Sequence, residues 1–478
     1  MERRLGSGVD THDAPRKEFT WVEGLAFCLA YIGVQLSSEV INQWGTYFYS
    51  PSGGVGRTIY VSIAIVGYIF IAGTLWDAMT GPLVGIWSDR TKSRPGWLRL
   101  LPIHGRRRPF MFFGSIFMTF TAIAFWFPPV HGESTLNFVY GTVLLCLHWS
   151  MFTITTMPLF ALGPEVARSE EARVKLGTWI AVGLLLGLAI ASALSGTLIQ
   201  LLDTAKAGEV TSPVGYRRIA VIYALISLGL FQLPVWLVRE RYDSEAVKEP
   251  HEPFLQCFRD AARNRRFLVY FVAFFMFSVG FLAAQRALPY WAELGLGGSE
   301  ETVTLLLLPF LVTALLSYAV IPSLARRLHV KWMTIIAFVI IATGLPGMYV
   351  IGHLPFGAGV KAALGGLLFA YCGIGQGIMY VMQTPLTGQI IDYDEQVSGR
   401  RREAFYNSLT SLALKASMAG SIFVATQTML IFGNTRDNPS GVFLVGPIAG
   451  LFAIFGMAAM FFYPSPRTGH EEKREAPF

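Results

Sequence analysis

The chain is poor in charge and in cysteine, and it carries no nucleotide-binding or catalytic signature. Lys, Arg, Asp and Glu make up 14% of its 478 residues, against about 25% in ordinary soluble domains. That scarcity excludes a large soluble domain, and a 53% hydrophobic content excludes a disordered chain. The four cysteines, Cys28, Cys146, Cys257 and Cys372, form no CxxC and have no histidine cluster beside them. They offer neither a disulfide framework nor a metal site, and no metal or cofactor is expected. The absence of a P-loop, HExxH or nucleophile elbow argues against an ATP-driven pump and an intramembrane enzyme. No short apolar segment with a small-residue cleavage site is visible near the start, so no cleaved signal peptide is expected.

What is abundant is apolar length. The hydrophobic share amounts to about 253 residues, and twelve membrane helices of roughly 20 apolar residues need about 240. Runs fall at 22–49, 59–87, 110–130, 136–162, 176–202 and 217–238, then at 267–292, 302–325, 331–352, 361–389, 404–431 and 442–463. Runs this long are not the short alternating strands of a transmembrane barrel. The expectation is an all-α membrane protein with two six-helix bundles, 22–238 and 267–463. A tail at 1–21, a polar central loop at 239–266 and a tail at 464–478 complete it.

The +7 formal charge is a topology signal. With both termini inside, Arg90, Lys92, Arg94, Arg106 to Arg108, Arg239, Arg241, Arg263, Arg265, Arg266, Arg326, Arg327 and Arg400 to Arg402 all face the cytoplasm. Outward loops keep very few basic residues, such as Arg57, Lys206 and Arg436. This is the positive-inside pattern, and it leaves no reason to expect nucleic acid. The loop after the fourth run, GPEVARSEEARVKLGTW, and that after the tenth, GQIIDYDEQVSGRRREAFYN, hold equivalent places in the two sets. Duplicated halves of this kind characterise transporters that rock around a midplane site.

Charges inside the spans cost at least about 2.5–3.5 kcal/mol each, so each needs a reason. They are Glu39, Asp77, Arg286 and Lys415, with His148 as a polar addition. Counting about 1.5 Å per residue from the inner boundaries puts Asp77 and Lys415 at matching depth. An acid and a base there are expected to neutralise each other between the halves; the plainer alternative is a static packing pair. Gln35, Glu39, Asn42 and Gln43 form one polar stripe in the first run, which should face a wet cavity. Arg286 reads as snorkelling to the outer surface, and His148 beside Trp149 as hydrogen-bonded filler. Gly183, Gly187 and the GIGQG of Gly373 to Gly377 read as close helix contacts.

Two segments carry more specificity. DAMTGPLVGIWSDRTKSRPG with the following HGRRRPF, and DYDEQVSGRRREAFYNSLTSLALK, resemble those of the glycoside–pentoside–hexuronide cation symporters. That family is the branch of the major facilitator superfamily that includes melibiose permease. The resemblance implies the major facilitator fold and alternating access. It implies a cytoplasmic gate in which Asp89, Arg90, Arg106, Arg107 and Arg108 pair with Asp392, Asp394, Glu395 and Glu403. Gly85 would let helices approach there. Lys415 matches the family's eleventh-span Lys. Departures are equally specific. Sodium-coupled members carry a second acid one turn after the Asp77 position, where this chain has Gly81. A fourth-span acid is replaced by Thr156, a sugar-binding acid by Gln35, and a fifth-span Arg by Ala181. The insertion Trp97 to His104 splits the first motif.

The expected function is secondary transport of a small polar solute, a sugar or glycoside, by a monomer in the plasma (cell inner) membrane. Candidate solute- or ion-binding residues are Gln35, Glu39, Asn42, Asp77, Trp149, Thr156, Gln383 and Lys415, with Trp44 as a further aromatic. Coupling is expected to a proton or to nothing, rather than to sodium. The alternatives are a lysolipid or other amphiphile transporter, and a non-transporting membrane sensor or scaffold.

Overall fold

The computed structural model describes residues 20–90, 105, 107–167, 169–205, 211–238, 240, 259, 261–325, 327–399 and 402–464. Most of the two expected tails, most of the central loop, and Arg106 lie outside them. The helices of the first set are α1 Trp21–Tyr49, α2 Ile63–Arg90, α3 Arg108–Ala124, α4 Thr135–Val166, α5 Glu170–Leu188, α6 Ser195–Leu201 and α7 Pro213–Leu237. The second set comprises α8 Arg265–Tyr290, α9 Glu300–Ala325, α10 Val330–Gly344, α11 Gly347–His353, α12 Ala358–Ser398, α13 Glu403–Phe432 and α14 Ser440–Phe461.

Among the described residues, eleven helical stretches are long and apolar enough to cross a membrane, and α3 is a shorter apolar helix. The starts are chemically marked. Thr20 and Glu23 form a reciprocal capping box on α1, and Ser134, Ser169, Ser212 and Asn264 cap α4, α5, α7 and α8 through their side chains. Each cap satisfies backbone N–H groups that have no partner within the helix.

Several boundaries differ from the hydropathy reading. The third run was expected to reach 130, but α3 stops at Ala124, ahead of Pro128 and Pro129, which cannot continue a helix. The run at 331–352 is two helices, broken around Pro346. Ala189–Ala193 and Trp291–Gly295 are π-helical turns. The acidic segment after the tenth run is not a loop: α12 continues for 41 residues to Ser398 and ends on Gly399 at φ +70°. At 1.5 Å per residue it is about 60 Å long, twice the hydrocarbon thickness of about 30 Å, so its acidic end stands clear of the apolar layer.

The internal repeat is clearest in the packing. α1 lies on α5 and α7, α2 on α4, and α3 on α4 and α7. The second set repeats these partnerships: α8 on α13 and α14, α9 on α12, and α10 on α12 and α14. The two sets meet along α2–α13, α6–α9 and α1–α8. Glycine permits the closest crossings. A Cβ on Gly183 would stand 2.2 Å from the Cys28 carbonyl oxygen of α1, and one on Gly373 2.3 Å from that of Phe310 in α9. Gly85 behaves otherwise: among the described residues nothing lies within 4 Å of its Cβ position, so none of them makes a close approach there.

Candidate functional site

We call the end of the bundle that bears the turns at 50–62 and 295–300 distal, and the opposite end proximal. Three polar clusters among the described residues join the two halves, two of them between these ends and one at the distal end.

The first bridges α2 and α13. Lys415 Nζ is 2.8 Å from Asp77 Oδ2 and also donates to the Asp77 carbonyl at 3.3 Å. The Thr153 hydroxyl of α4 donates to Asp77 Oδ1 at 2.6 Å. Sequence matching by depth thus found two of three members. Thr153 was missed because one threonine among Thr153, Thr155 and Thr156 carries no distinguishing pattern. Thr156 is buried but turns its hydroxyl to the Phe152 carbonyl of its own helix. The Asp77–Lys415–Thr153 cluster therefore does not take it in. Lys415 Nζ lies 3.6 Å from where a Gly81 Cβ would be, so the ammonium already stands beside the position from which a second carboxylate would hang.

The second cluster joins α1, α8 and α12. Arg286 Nη2 donates to Asn42 Oδ1 at 3.3 Å, and the Arg286 charge acts on the Glu39 carboxylate. Glu39 is partly exposed, and Tyr380 of α12 lies within electrostatic range of it. Arg286 is only 6% exposed. It does not snorkel to the surface as expected, because Asn42 and Glu39 on the facing half offer partners inside. Its position in the sequence, near a span end, concealed this.

Other anticipated residues are dispersed. Gln35 is half-buried against Gly187 of α5, and Gln383 is half-buried on α12. Trp149 is buried against Phe152, beside Gly73 of α2. Trp44, offered as a cavity aromatic, is instead fully buried in a distal aromatic cluster with Tyr47 and Tyr216. His148 is buried, with Nδ1 3.5 Å from the Thr121 hydroxyl.

The third cluster, at the distal end, was not anticipated. Arg57, in the turn after α1, has Nε 3.1 Å from Glu293 Oε1 and Nη1 2.5 Å from Glu300 Oε1. Tyr47 donates to Glu293 at 2.6 Å; Tyr216 and Thr211 donate to Glu300 at 2.6 and 2.8 Å. The π-turn at 291–295 carries Glu293 into this cluster. Burial alone lowers the Arg57 pKa, but Tyr216, Tyr47, Glu300 and Glu293 raise it overall, so the guanidinium stays charged. Nearby, Tyr290 donates to the Ser50 carbonyl at 2.7 Å, and the turn at Gly53 exchanges backbone hydrogen bonds with Asn434 and Arg436. The distal ends of the halves are fastened together. A lone Arg in an outer loop gave no hint of this, since its carboxylate partners lie more than 230 positions away.

At the proximal end, Arg107 Nη1 is 3.1 Å from Glu165, and Arg402 Nη1 is 3.8 Å from Asp394. Both pairs lie within one half. The backbone N–H groups of Arg107 and Arg108 donate to Glu240 at 2.8 Å each. Asp392 and Glu395 stand on the last turns of α12. Arg106, and the side chains of Asp89, Arg90 and Glu403, are outside the described residues.

Residues 26–467 match the family of MFS/sugar transport proteins. The isoprimeverose transporter of Lactiplantibacillus pentosus is 23% identical, over 83% of this chain and 78% of its own. Among solved structures, the nucleoside transporter NupG superposes with a TM-score of 0.66 at 11% identity, covering 93% of this chain and 100% of its own. The D-xylose-proton symporter gives 0.61 at 14%, covering 91% and 97%. These structural likenesses establish the fold. The family is one of transporters and not of enzymes, and its members are multi-pass proteins of the plasma (cell inner) membrane. With that match, the apolar helices and the repeated packing, the chain belongs to the glycoside–pentoside–hexuronide symporter branch of the major facilitator superfamily.

Proposed function

We propose that this symporter-family protein moves a neutral, hydroxylated solute, a sugar or glycoside, by alternating access, and that sodium does not drive it. The carrying observation is the Asp77–Lys415 pair. A sodium ion needs several oxygen ligands with carboxylate charge among them. Here Asp77 is already compensated at 2.8 Å, Gly81 supplies no ligand, and the Lys415 ammonium stands next to the space a second acid would enter. Coupling to a proton, or none, remains for such a site.

The wider reading has twelve spans, with α3 as the third. Its 17 residues span about 26 Å, close to the hydrocarbon thickness of about 30 Å. Residues 22–238 and 267–463 act as the two rocking bodies of a monomer, with both termini and the proximal end in the cytoplasm. Asp77, Lys415, Glu39 and Asn42 serve solute or proton, while Gln35, Trp149, Thr156 and Gln383 serve the cavity around them. Arg107 and Arg108, with Arg106, Asp89 and Arg90, close the cytoplasmic side against Asp392, Asp394, Glu395 and Glu403 when the distal side opens. The fastened distal end supports a state in which the cytoplasmic side is the accessible one.

Uptake into proteoliposomes under imposed gradients tests this. Glycoside uptake should be indifferent to a sodium gradient at fixed pH and voltage. Strong stimulation by sodium alone would overturn the coupling assignment. In a thermal-shift screen of glycosides, uronides and lysolipids, stabilisation by lysolipids alone would overturn the solute class.

A further inference from the structure

The distal seam between α1 and α8 contains polar groups that this arrangement leaves unpaired. Gln43 is 2% exposed and Thr46 3% exposed. Both amide atoms of Gln43, the Thr46 hydroxyl and Arg286 Nη1 are shielded from solvent and have no hydrogen-bond partner among the described residues. Each such group bears an uncompensated desolvation cost, larger when charged, and buried polar atoms are otherwise almost always paired. Packing alone gives no reason for four of them along one seam, because apolar residues of similar size would be cheaper there.

Their positions suggest one. Along α1 the order is Glu39, Asn42, Gln43, Thr46, Tyr47, about 12 Å from first to last at 1.5 Å per residue. Asn42 meets Arg286 at 3.3 Å, and Tyr47 meets Tyr290 ring to ring at 4.8 Å between centroids and Glu293 at 2.6 Å. The unpaired groups therefore lie between the Glu39 cluster and the Arg57 cluster. Beyond the Arg57 cluster is a cavity of about 190 Å³, lined by Tyr47, Arg57, Thr58, Tyr60, Thr211 and Tyr216 among others.

We propose that the α1–α8 seam is the solute's access route from the distal side, latched by Arg57 on Glu293 and Glu300. Gln43, Thr46 and Arg286 are then a solute-contacting layer that gains its hydrogen bonds when the latch parts. The inference rests on the transport reading and deepens it by naming the path the solute takes and the side chains that meet it there. An amide, a hydroxyl and a guanidinium balanced by Glu39 suit an uncharged polyhydroxylated solute, whose hydroxyls both donate and accept. The latch and the layer oppose each other. Ion pairs hold the seam shut, while the unpaired groups beneath favour its opening to water or solute.

The test is labelling of Gln43→Cys, in protein lacking its native cysteines, by a membrane-impermeant thiol reagent applied from the distal side. Gly56→Cys in the outer turn serves as an always-accessible control. Latch release is provided by Arg57→Gln and, independently, by Glu293→Gln. Labelling of Cys at 43 should rise at least tenfold in either latch variant over the intact latch. Methyl glycosides taken up by the unlabelled parent should slow it, and charged uronates should not. Unchanged labelling in both latch variants, with the control labelled, would overturn the proposal. So would labelling indifferent to a glycoside that proteoliposomes demonstrably accumulate. If the parent accumulates no glycoside, the transport reading fails instead, and the comparison of latched with unlatched protein still decides whether the seam opens.

Discussion

Removing one member of the Asp77–Lys415 pair should abolish transport while costing the fold little, and the geometry sets how little. At 2.8 Å, two unit charges attract by about 6 kcal/mol at an effective dielectric of about 20. Most of that is offset by the desolvation each charge bears. The two side chains keep 26% and 16% of their exposure, so the pair sits between a surface bridge worth about 0–1 kcal/mol and a buried one costing about 3–5 kcal/mol to break. About 2 kcal/mol per single variant is the corresponding expectation. Asp77→Asn keeps an acceptor for the Thr153 hydroxyl and loses only the charge. Lys415→Ala also loses the bond to the Asp77 carbonyl, so it should be the less stable of the two. The double variant Asp77→Asn/Lys415→Gln leaves no unpaired charge and should recover much of the lost thermal stability without recovering uptake. Uptake into proteoliposomes, with thermal unfolding on the same preparations, separates mechanism from packing. Wild-type transport by both single variants would refute the mechanistic role. Recovery of uptake in the double variant would reduce the pair to a structural device.

Two further perturbations address other parts of the molecule. Neutralising Arg106, Arg107 and Arg108 together should favour the state open to the cytoplasm, read as faster thiol labelling from that side. Unchanged accessibility would count against a proximal latch. Gly183→Ala would force a methyl group to within 2.2 Å of the Cys28 carbonyl. The α1–α5 crossing must then open, at a cost of about 1–3 kcal/mol, visible as a lowered unfolding temperature; an unchanged value would refute the close α1–α5 contact.

Much of the architecture was legible without coordinates, because hydropathy reports how much of each segment must leave water. That signal does not register where a helix bends or how far it runs past the apolar layer. Pro346 splits one run in two, and α12 carries Asp392 and Asp394 on helix where a loop was expected. Asp77 and Lys415 were matched because a charge at membrane depth is rare and depth follows from residue count. Arg286 was misjudged by the same count, since its partners Asn42 and Glu39 lie across the molecule.

The sequence by itself determined that the chain is a helical membrane protein with a duplicated plan, since charge scarcity, apolar run length and basic-loop bias are local properties. It also carried the family's signature motifs and their missing carboxylates. Only the tertiary structure decided which polar groups meet. Arg57 reaches Glu293 and Glu300, Thr153 rather than Thr156 reaches Asp77, and Lys415 stands beside the Gly81 position. Those contacts join residues hundreds of positions apart, or choose among neighbours of one type. Both are settled by helix rotation and by the docking of one half on the other, and neither leaves a periodic trace along the chain.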